Sequence, residues 1–329
     1  MTTPAASVSL ADVQAPVREG LERVRGEIRR LIEADFPLIA EVNGHLLQMQ
    51  GKLFRPTLLL LADEATGQRD PRAGTFAGIV ELIHLATLVH DDAVDHSVLR
   101  RGMPTINALF SHQVSVIMGD YLYSRAVIEL ARLQDLDALG VLSRVTNEMT
   151  MGEMRQLIAH DGLGFDEDAY DLLIRSKTAS LLSGACEVGA LRAPREQREA
   201  LRRFGDQLGM AFQITDDLLD YVGDEAETGK PVGGDLREHK VTLPLIAALP
   251  RFSAADRKLC EGLMADPAPS DDRIQAVVRA VAAHGGLDVA RARAQRHAEA
   301  ADRALDLLPA SAARDALRAS IPYVLERRR

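Results

Sequence analysis

The sequence is poor in the residues that staple small folds. It holds two cysteines and no tryptophan among 329 residues. Cys186 and Cys260 stand far apart with no Cys-x-x-Cys pair, which excludes a disulfide framework and a cysteine-rich zinc site and predicts reduced thiols in the cytoplasm. Positive charge is not in excess. Thirty-nine Lys and Arg against 48 Asp and Glu leave a formal charge of −9, which argues against a general nucleic-acid binder. The opening MTTPAASVSLADVQAPVREG lacks the basic cluster and apolar block of a secretory leader. No apolar run approaches the roughly 20 residues that a bilayer span needs. HExxH, GxSxG and a Rossmann glycine fingerprint are all missing. GDEAETGKP looks like a phosphate loop, but its glycine spacing and the Pro after Lys230 are wrong for one.

What is present is helical periodicity, rich in Ala, Leu, Arg and Glu. The pattern predicts helices over 10–34, 37–49, from Pro56 onward, through TFAGIVELIHLATLVHDDAVD, and near 111–132, 138–160, 166–191 and 195–222. The segment before Asp91 is apolar almost all round, the mark of a buried central helix. Strand alternation and repeats are not apparent. The expectation is one all-α domain over 1–329, with residues 1–10 disordered.

Two acidic clusters stand out. Asp91, Asp92 and Asp95 form one DDxxD, and Asp216, Asp217 and Asp220 form another. A lone DDxxD is usually a solvated helix face. These two end apolar segments, LIHLATLVH and FQIT, where crowded carboxylates repel and lose hydration unless cations compensate. Oxygen donors without His or Cys ligand spacing suit magnesium, several ions of which could share the carboxylates with phosphates.

Basic residues accompany them. Lys52 and Arg55 bracket a break before a helix, Arg100 and Arg101 follow the first cluster, and Lys177 interrupts the apolar LLIRSKTASLLSGA. Lys230 lies in a glycine-rich loop, and Lys240 follows Asp235 by five residues. Any one of these could be a snorkelling surface side chain. Together, beside chain breaks and acidic clusters, they suit anionic ligands. His84 shares a helix face with Asp91, and Gln213 adjoins the second cluster.

The segments GKLFRP, HLATLVHDDAVDHSVLRRGMPT, GDYLY, MGEMRQ, RSKTASLL, FQITDDLLDY and GKPVGGDLREHK resemble, in order, those of the trans-polyprenyl diphosphate synthases. The resemblance implies an antiparallel helical bundle around a deep cavity, a homodimer, and head-to-tail condensation of isopentenyl diphosphate with an allylic diphosphate. It implies that the six aspartates bind magnesium. Arg100, Lys177, Lys230 and Lys240 would contact the allylic diphosphate, and Lys52, Arg55, His84 and Arg101 isopentenyl diphosphate. Thr178 and Gln213 would lie near the carbocation. One departure is that Gln50 and Leu53 stand where the family often has Gly and Arg, which puts the shape of that loop in question. Bulky aromatics four or five residues before the first cluster give short products in this family. Here those positions hold Thr87 and Ala86, with Ile83 below, so the expectation is geranylgeranyl or longer. A terpene cyclase would have little use for the second DDxxD or for Lys52, Arg55 and His84, and a non-catalytic partner subunit would typically have lost some of these residues. The basic tail Arg327–Arg329 either folds over the site or is simply solvated, and the solvated form is the expectation.

Overall fold

A computed structural model describes residues 8–49, 51–158, 163–222 and 232–327. The fold is all-α. The helices are α1 (Leu10–Gln14), α2 (Arg18–Ile32), α3 (Pro37–Gln48), α4 (Phe54–Ala65), α5 (Ala73–Val94), α6 (Ile106–Leu109), α7 (His112–Leu133), α8 (Leu136–Ile158), α9 (Glu167–Ile174), α10 (Ser180–Gly189) and α11 (Arg195–Val222). After residues 223–231 come α12 (Gly234–Arg237), α13 (Leu243–Ala248), α14 (Ala254–Met264), α15 (Asp271–Ala283), α16 (Gly286–Ala304) and α17 (Ala312–Glu326).

Four departures from the sequence reading have local causes. The helix expected over 10–34 breaks at Pro16 into α1, a 3-10 turn over Ala15–Val17, and α2, because Pro cannot donate to the preceding turn. Ser9, inside the stretch expected to be disordered, caps α1 in a reciprocal box with Asp12. Helix α4 begins at Phe54, before Pro56. Pro is tolerated there because the N–H groups of a first turn have no intrahelical partner. A two-residue hairpin pairs Leu99–Arg100 with Met103–Pro104, where no strand was expected. Arg101 and Gly102 fill its turn with φ of 53° and 75°, as a primed hairpin turn requires.

Helix α5 is central. Over 18 residues its mean hydropathy is 1.4, so it passes by length and composition as a membrane span, against the sequence expectation. Phe76, Ile79, Val80, Leu82 and Ile83 are buried against neighbouring helices, so its apolarity is used inside the protein. Each such side chain contributes about 1.5–3 kcal/mol on burial. Helix α11 carries two apolar stripes. Leu201, Phe204, Leu208 and Ala211 join the core that includes α5. Met210, Ile214, Leu218 and Tyr221 join a second cluster with α13, α15 and α16. The aspartates at the C-terminal end of α11 are thereby fixed in height and rotation from both sides.

Candidate active site

The last turn of α5 carries Asp91 and Asp92, and Asp95 is its C-cap residue. Asp92 is buried, and Arg100 donates from Nε to both of its carboxylate oxygens at 2.9 Å. The tight hairpin brings this about by turning Arg100 back onto the helix end. Asp91 is less well compensated. Burial pushes its pKa up, the Lys177 ammonium opposes the shift, and Glu153 and Asp95 reinforce it. A carboxylate held in this way is short of positive charge.

Lys177 lies on one turn of π-helix, Arg175–Ala179, that interrupts the helix expected over 166–191. Such bulges re-aim side chains at working sites. Its Nζ donates to Glu153 Oε2 and Gln156 Oε1, both at 2.9 Å, and stands 3.7 Å from Asp91 Oδ2. Helix α11 approaches the π turn closely because residue 209 is Gly. A Cβ there would lie 2.5 Å from Ala179 Cα. The approach lets Thr178 Oγ1 donate to Gln213 Oε1 at 2.8 Å, and Gln213 Nε2 donates in turn to Asp217 Oδ1 at 2.8 Å.

Asp217 is buried and receives a second bond from the Tyr170 hydroxyl at 2.5 Å. Burial raises its pKa; the Tyr170 and Gln213 bonds oppose the rise, and Asp216 and Asp220 add to it. Asp220 accepts the backbone N–H of Gly234 on Oδ1 and of Asp235 on Oδ2, each at 3.0 Å. Asp216 accepts from Arg327 Nη2 at 2.9 Å, and the same guanidinium lies 3.7 Å over the Phe212 ring. The expectation that Arg327 is solvated is therefore corrected: stacking and the carboxylate draw it onto the second cluster. Arg328 and Arg329 lie outside the described residues. Lys240 pairs with Glu238 at 2.6 Å and feels the charges of both Asp95 and Asp235. Lys240 thus lies between the end of α5 and α12, whose Gly234 and Asp235 N–H groups bind Asp220 at the end of α11.

A second, basic cluster lies further back along α5. Arg55 Nη1 and His84 Nε2 are 3.0 Å apart. Arg55 is partly buried, and loss of hydration pulls its pKa down to about 10 against the attraction of Glu81. His84 is held well below its ordinary pKa by burial and by Arg55, Arg101 and Arg100, so it is the neutral imidazole. Arg101 donates to Met49 O at 3.0 Å. A Cβ on Gly51 would come within 3.0 Å of Arg101 Nη1, which explains the small residue at the chain break. Lys52 sits at the same break, its carbonyl accepting from Gln14 at 2.9 Å. Leu53, where the sequence departs from the family pattern, takes a left-handed φ of 51° as the N-cap of α4.

Ile83 and Ala86 are buried on α5, and Thr87 is partly buried with its hydroxyl on His84 O at 2.8 Å. Lys230 and Gln50 lie outside the described residues. The sequence reading gave no role to Glu81, Tyr170, Glu153 or Gln156. The last two were legible in principle, being three residues apart on one face of α8.

The oxygen-only donor set fits a hard divalent cation. Among the described residues no three His, Cys, Asp or Glu side chains converge as a ready-made cage.

Residues 36–281 match the model of the family described as Polyprenyl synthetase. The chain is 40% identical over 308 residues to the all-trans-nonaprenyl-diphosphate synthase (geranyl-diphosphate specific) of Rhodobacter capsulatus, covering 93% of this chain and 94% of that one. It is 37% identical over 316 residues to heptaprenyl diphosphate synthase component 2 of Geobacillus stearothermophilus, covering 94% and 96%. The crystal structure of a polyprenyl synthase from Caulobacter crescentus, complexed with calcium and isoprenyl diphosphate, superposes with a TM-score of 0.93 at 32% identity, covering 99% of this chain and 100% of that one.

Proposed function

The chain belongs to the polyprenyl synthetase family, and on that premise we propose how its side chains condense isopentenyl diphosphate with an allylic prenyl diphosphate. One observation carries the reading. Helix α5 bears His84 of the basic cluster and, seven residues on, Asp91 of the acidic cluster. Seven residues rise about 10.5 Å, so one rigid helix carries the basic and the acidic cluster about two turns apart on one face.

Asp91, Asp92, Asp95, Asp216, Asp217 and Asp220 would hold magnesium with the allylic diphosphate. Bound magnesium supplies positive charge to the diphosphate as it leaves. Lys177, Lys230, Lys240 and Arg100 add cations on the protein side. The allylic C–O bond breaks and its electron pair stays on the diphosphate. Lys52, Arg55, Arg101 and neutral His84 hold isopentenyl diphosphate so that its double bond attacks the allylic carbon. The proton lost to restore an alkene goes to the departed diphosphate. Thr178 and Gln213 present oxygen dipoles to the cation, and the apolar wall of α5 excludes water.

Product length is set below Asp91. Ala86 and Thr87 are small and Ile83 is moderate, which supports geranylgeranyl or longer chains. The described residues are read as part of one domain over 1–329, since α11 joins both hydrophobic clusters. Exposed Ile117, Val127 and Ile128 on α7, with Met154 and Leu157 on α8, support a homodimer through these helices. A relative named as component 2 makes a heteromeric assembly the second reading, with this chain as the catalytic component because both aspartate clusters are intact. The two buried free cysteines suit the cytoplasm.

The test is incubation of purified protein with labelled isopentenyl diphosphate, magnesium and dimethylallyl, geranyl or farnesyl diphosphate, followed by dephosphorylation and sizing of the alcohols. A magnesium-dependent ladder extending past the C15 alcohol supports the reading. Products stopping at farnesyl would overturn the chain-length reading. No extension by folded protein would shift the weight to an obligate second component.

A further inference from the structure

Away from this site, α8, the π turn with α10, and α11 enclose a cavity of about 430 Å³, a volume typical of small-molecule sites. Its wall carries the guanidinium groups of Arg144, Arg155, Arg175 and Arg202 against the carboxylates of Glu148 and Asp206. Arg144 is held by Glu187 at 2.7 Å and Arg202 by Glu199 at 2.6 Å, which leaves Arg155 and Arg175 as the guanidinium groups open to a ligand. Among the described residues Arg155 has no carboxylate partner and donates only to Ser176 Oγ, at 3.3 Å. Arg175 reaches Asp206 at a loose 3.5 Å. Met151 and Leu172 form an exposed apolar rim. Serines line the inner wall: Ser180 and Ser183 donate to the Ser176 and Arg202 carbonyls, while the Ser176 hydroxyl accepts from Arg155 and keeps its own proton for an anion.

We propose that this cavity is a second anion-binding site, taking a phosphate or diphosphate group on Arg155 and Arg175, behind the π turn that carries Lys177. The two sites share a wall. A Cβ on Gly152 would lie 2.9 Å from Lys177 N and 3.1 Å from Ser176 Cβ, so α8 meets the π turn with no side chain between. On one side of that contact Glu153 and Gln156 hold the Lys177 ammonium. On the other, Arg155 holds Ser176. A bound anion would draw Arg155 from the Ser176 hydroxyl into a charge-assisted bond. Free diphosphate, which the condensation releases, and the head group of a prenyl diphosphate present the same chemistry here. Only the second would also use the Met151–Leu172 rim.

The test is calorimetric titration of the full-length protein, as the oligomer it forms, with inorganic diphosphate. EDTA is present, so the aspartates hold no cation, and the Arg55→Gln form is titrated in parallel to subtract binding at the Arg55–His84 cluster. The expected result is one diphosphate per chain that persists in Arg55→Gln and is weakened about tenfold or more in Arg155→Gln/Arg175→Gln, a loss of about 1.4 kcal/mol or more. Condensation by the double variant without added anion should stay within about twofold of wild type. Arg175→Gln, which leaves the Ser176 contact intact, should show a smaller loss and guards against misfolding of the double variant. Hydrogen exchange in peptides spanning 144–155 and 172–183 should slow on adding diphosphate. A farnesyl thiolodiphosphate titration separates the sources: equal affinity assigns the head group alone, and tighter binding adds the apolar rim. No saturable binding, equal affinity in both cavity variants, or protection confined to α4 and α5 would overturn the proposal.

Discussion

Arg327 closes onto Asp216: its Nη2 is 2.9 Å from Oδ1, and the rest of the guanidinium lies flat on Phe212. One of the six proposed magnesium carboxylates is therefore engaged by a cation from the C-terminal segment. Arg327→Ala should free it. Surface pairs contribute about 0.2–1 kcal/mol, so the magnesium concentration for half-maximal rate should fall up to about fivefold. A magnesium titration of initial rate checks this, and an unchanged or higher requirement would show that the contact does not compete with the ion.

Arg100 grips Asp92 through Nε, which donates to both oxygens, and Nη2, 2.9 Å from Oδ1. Lysine keeps the charge and loses the fork. Arg100→Lys should lower unfolding free energy by about 1–3 kcal/mol, the scale of a hydrogen bond to a charged group. It should also cut kcat/KM for the allylic substrate about 10–100-fold as the carboxylate loses its fixed orientation. Urea unfolding and steady-state kinetics measure the two effects. Wild-type kinetics in a destabilised variant would confine the fork to a structural role.

The pairing of His84 with Arg55 makes stability depend on pH. Burial first, and the neighbouring arginines second, hold the folded His84 pKa well below 6.5. The unfolded chain therefore binds more protons than the folded one below that value. The contribution of this residue is complete above about pH 6.5 and is lost as pH falls toward the folded pKa, at a slope of up to about 1.4 kcal/mol per pH unit. His84→Asn should flatten the unfolding free energy between about pH 5 and 6.5. Urea midpoints across that range test it, and equal slopes in the two proteins would sink the assignment.

Much of the site was legible in the sequence because its signals were local. The two DDxxD clusters ended apolar helices, and Lys177 interrupted an apolar run. What the sequence hid depended on contacts between distant residues. The Tyr170–Asp217 bond joins residues on α9 and α11, and no spacing rule reaches that far. Glu81 read as one more helix carboxylate until Arg55 and Arg101 were seen around it. The π turn was invisible because α9, the π turn and α10 together keep one helical pattern. Arg327 was read as a solvated tail because nothing near it in sequence names Phe212 as its partner.

The wall below the aspartates gives the last expectation. Ala86 is 3% exposed and Ile83 1%; on the chain-length reading proposed above, these small and medium side chains of α5 flank the path of a growing chain beneath Asp91. Phenylalanine at 86 would fill that path. The extra bulk should strain the core by about 1–3 kcal/mol and leave the aspartates and the Arg55–His84 pair in place. Ala86→Phe should therefore keep condensation with dimethylallyl and geranyl diphosphates, lose most of it with longer starters, and shift the product ladder to shorter alcohols. Thr87→Phe, at a partly buried position, repeats the test at lower packing cost. Chromatography of the dephosphorylated products reads the result directly. If both variants fold and still make the wild-type length, another helix supplies the floor and the small residues of α5 serve packing alone.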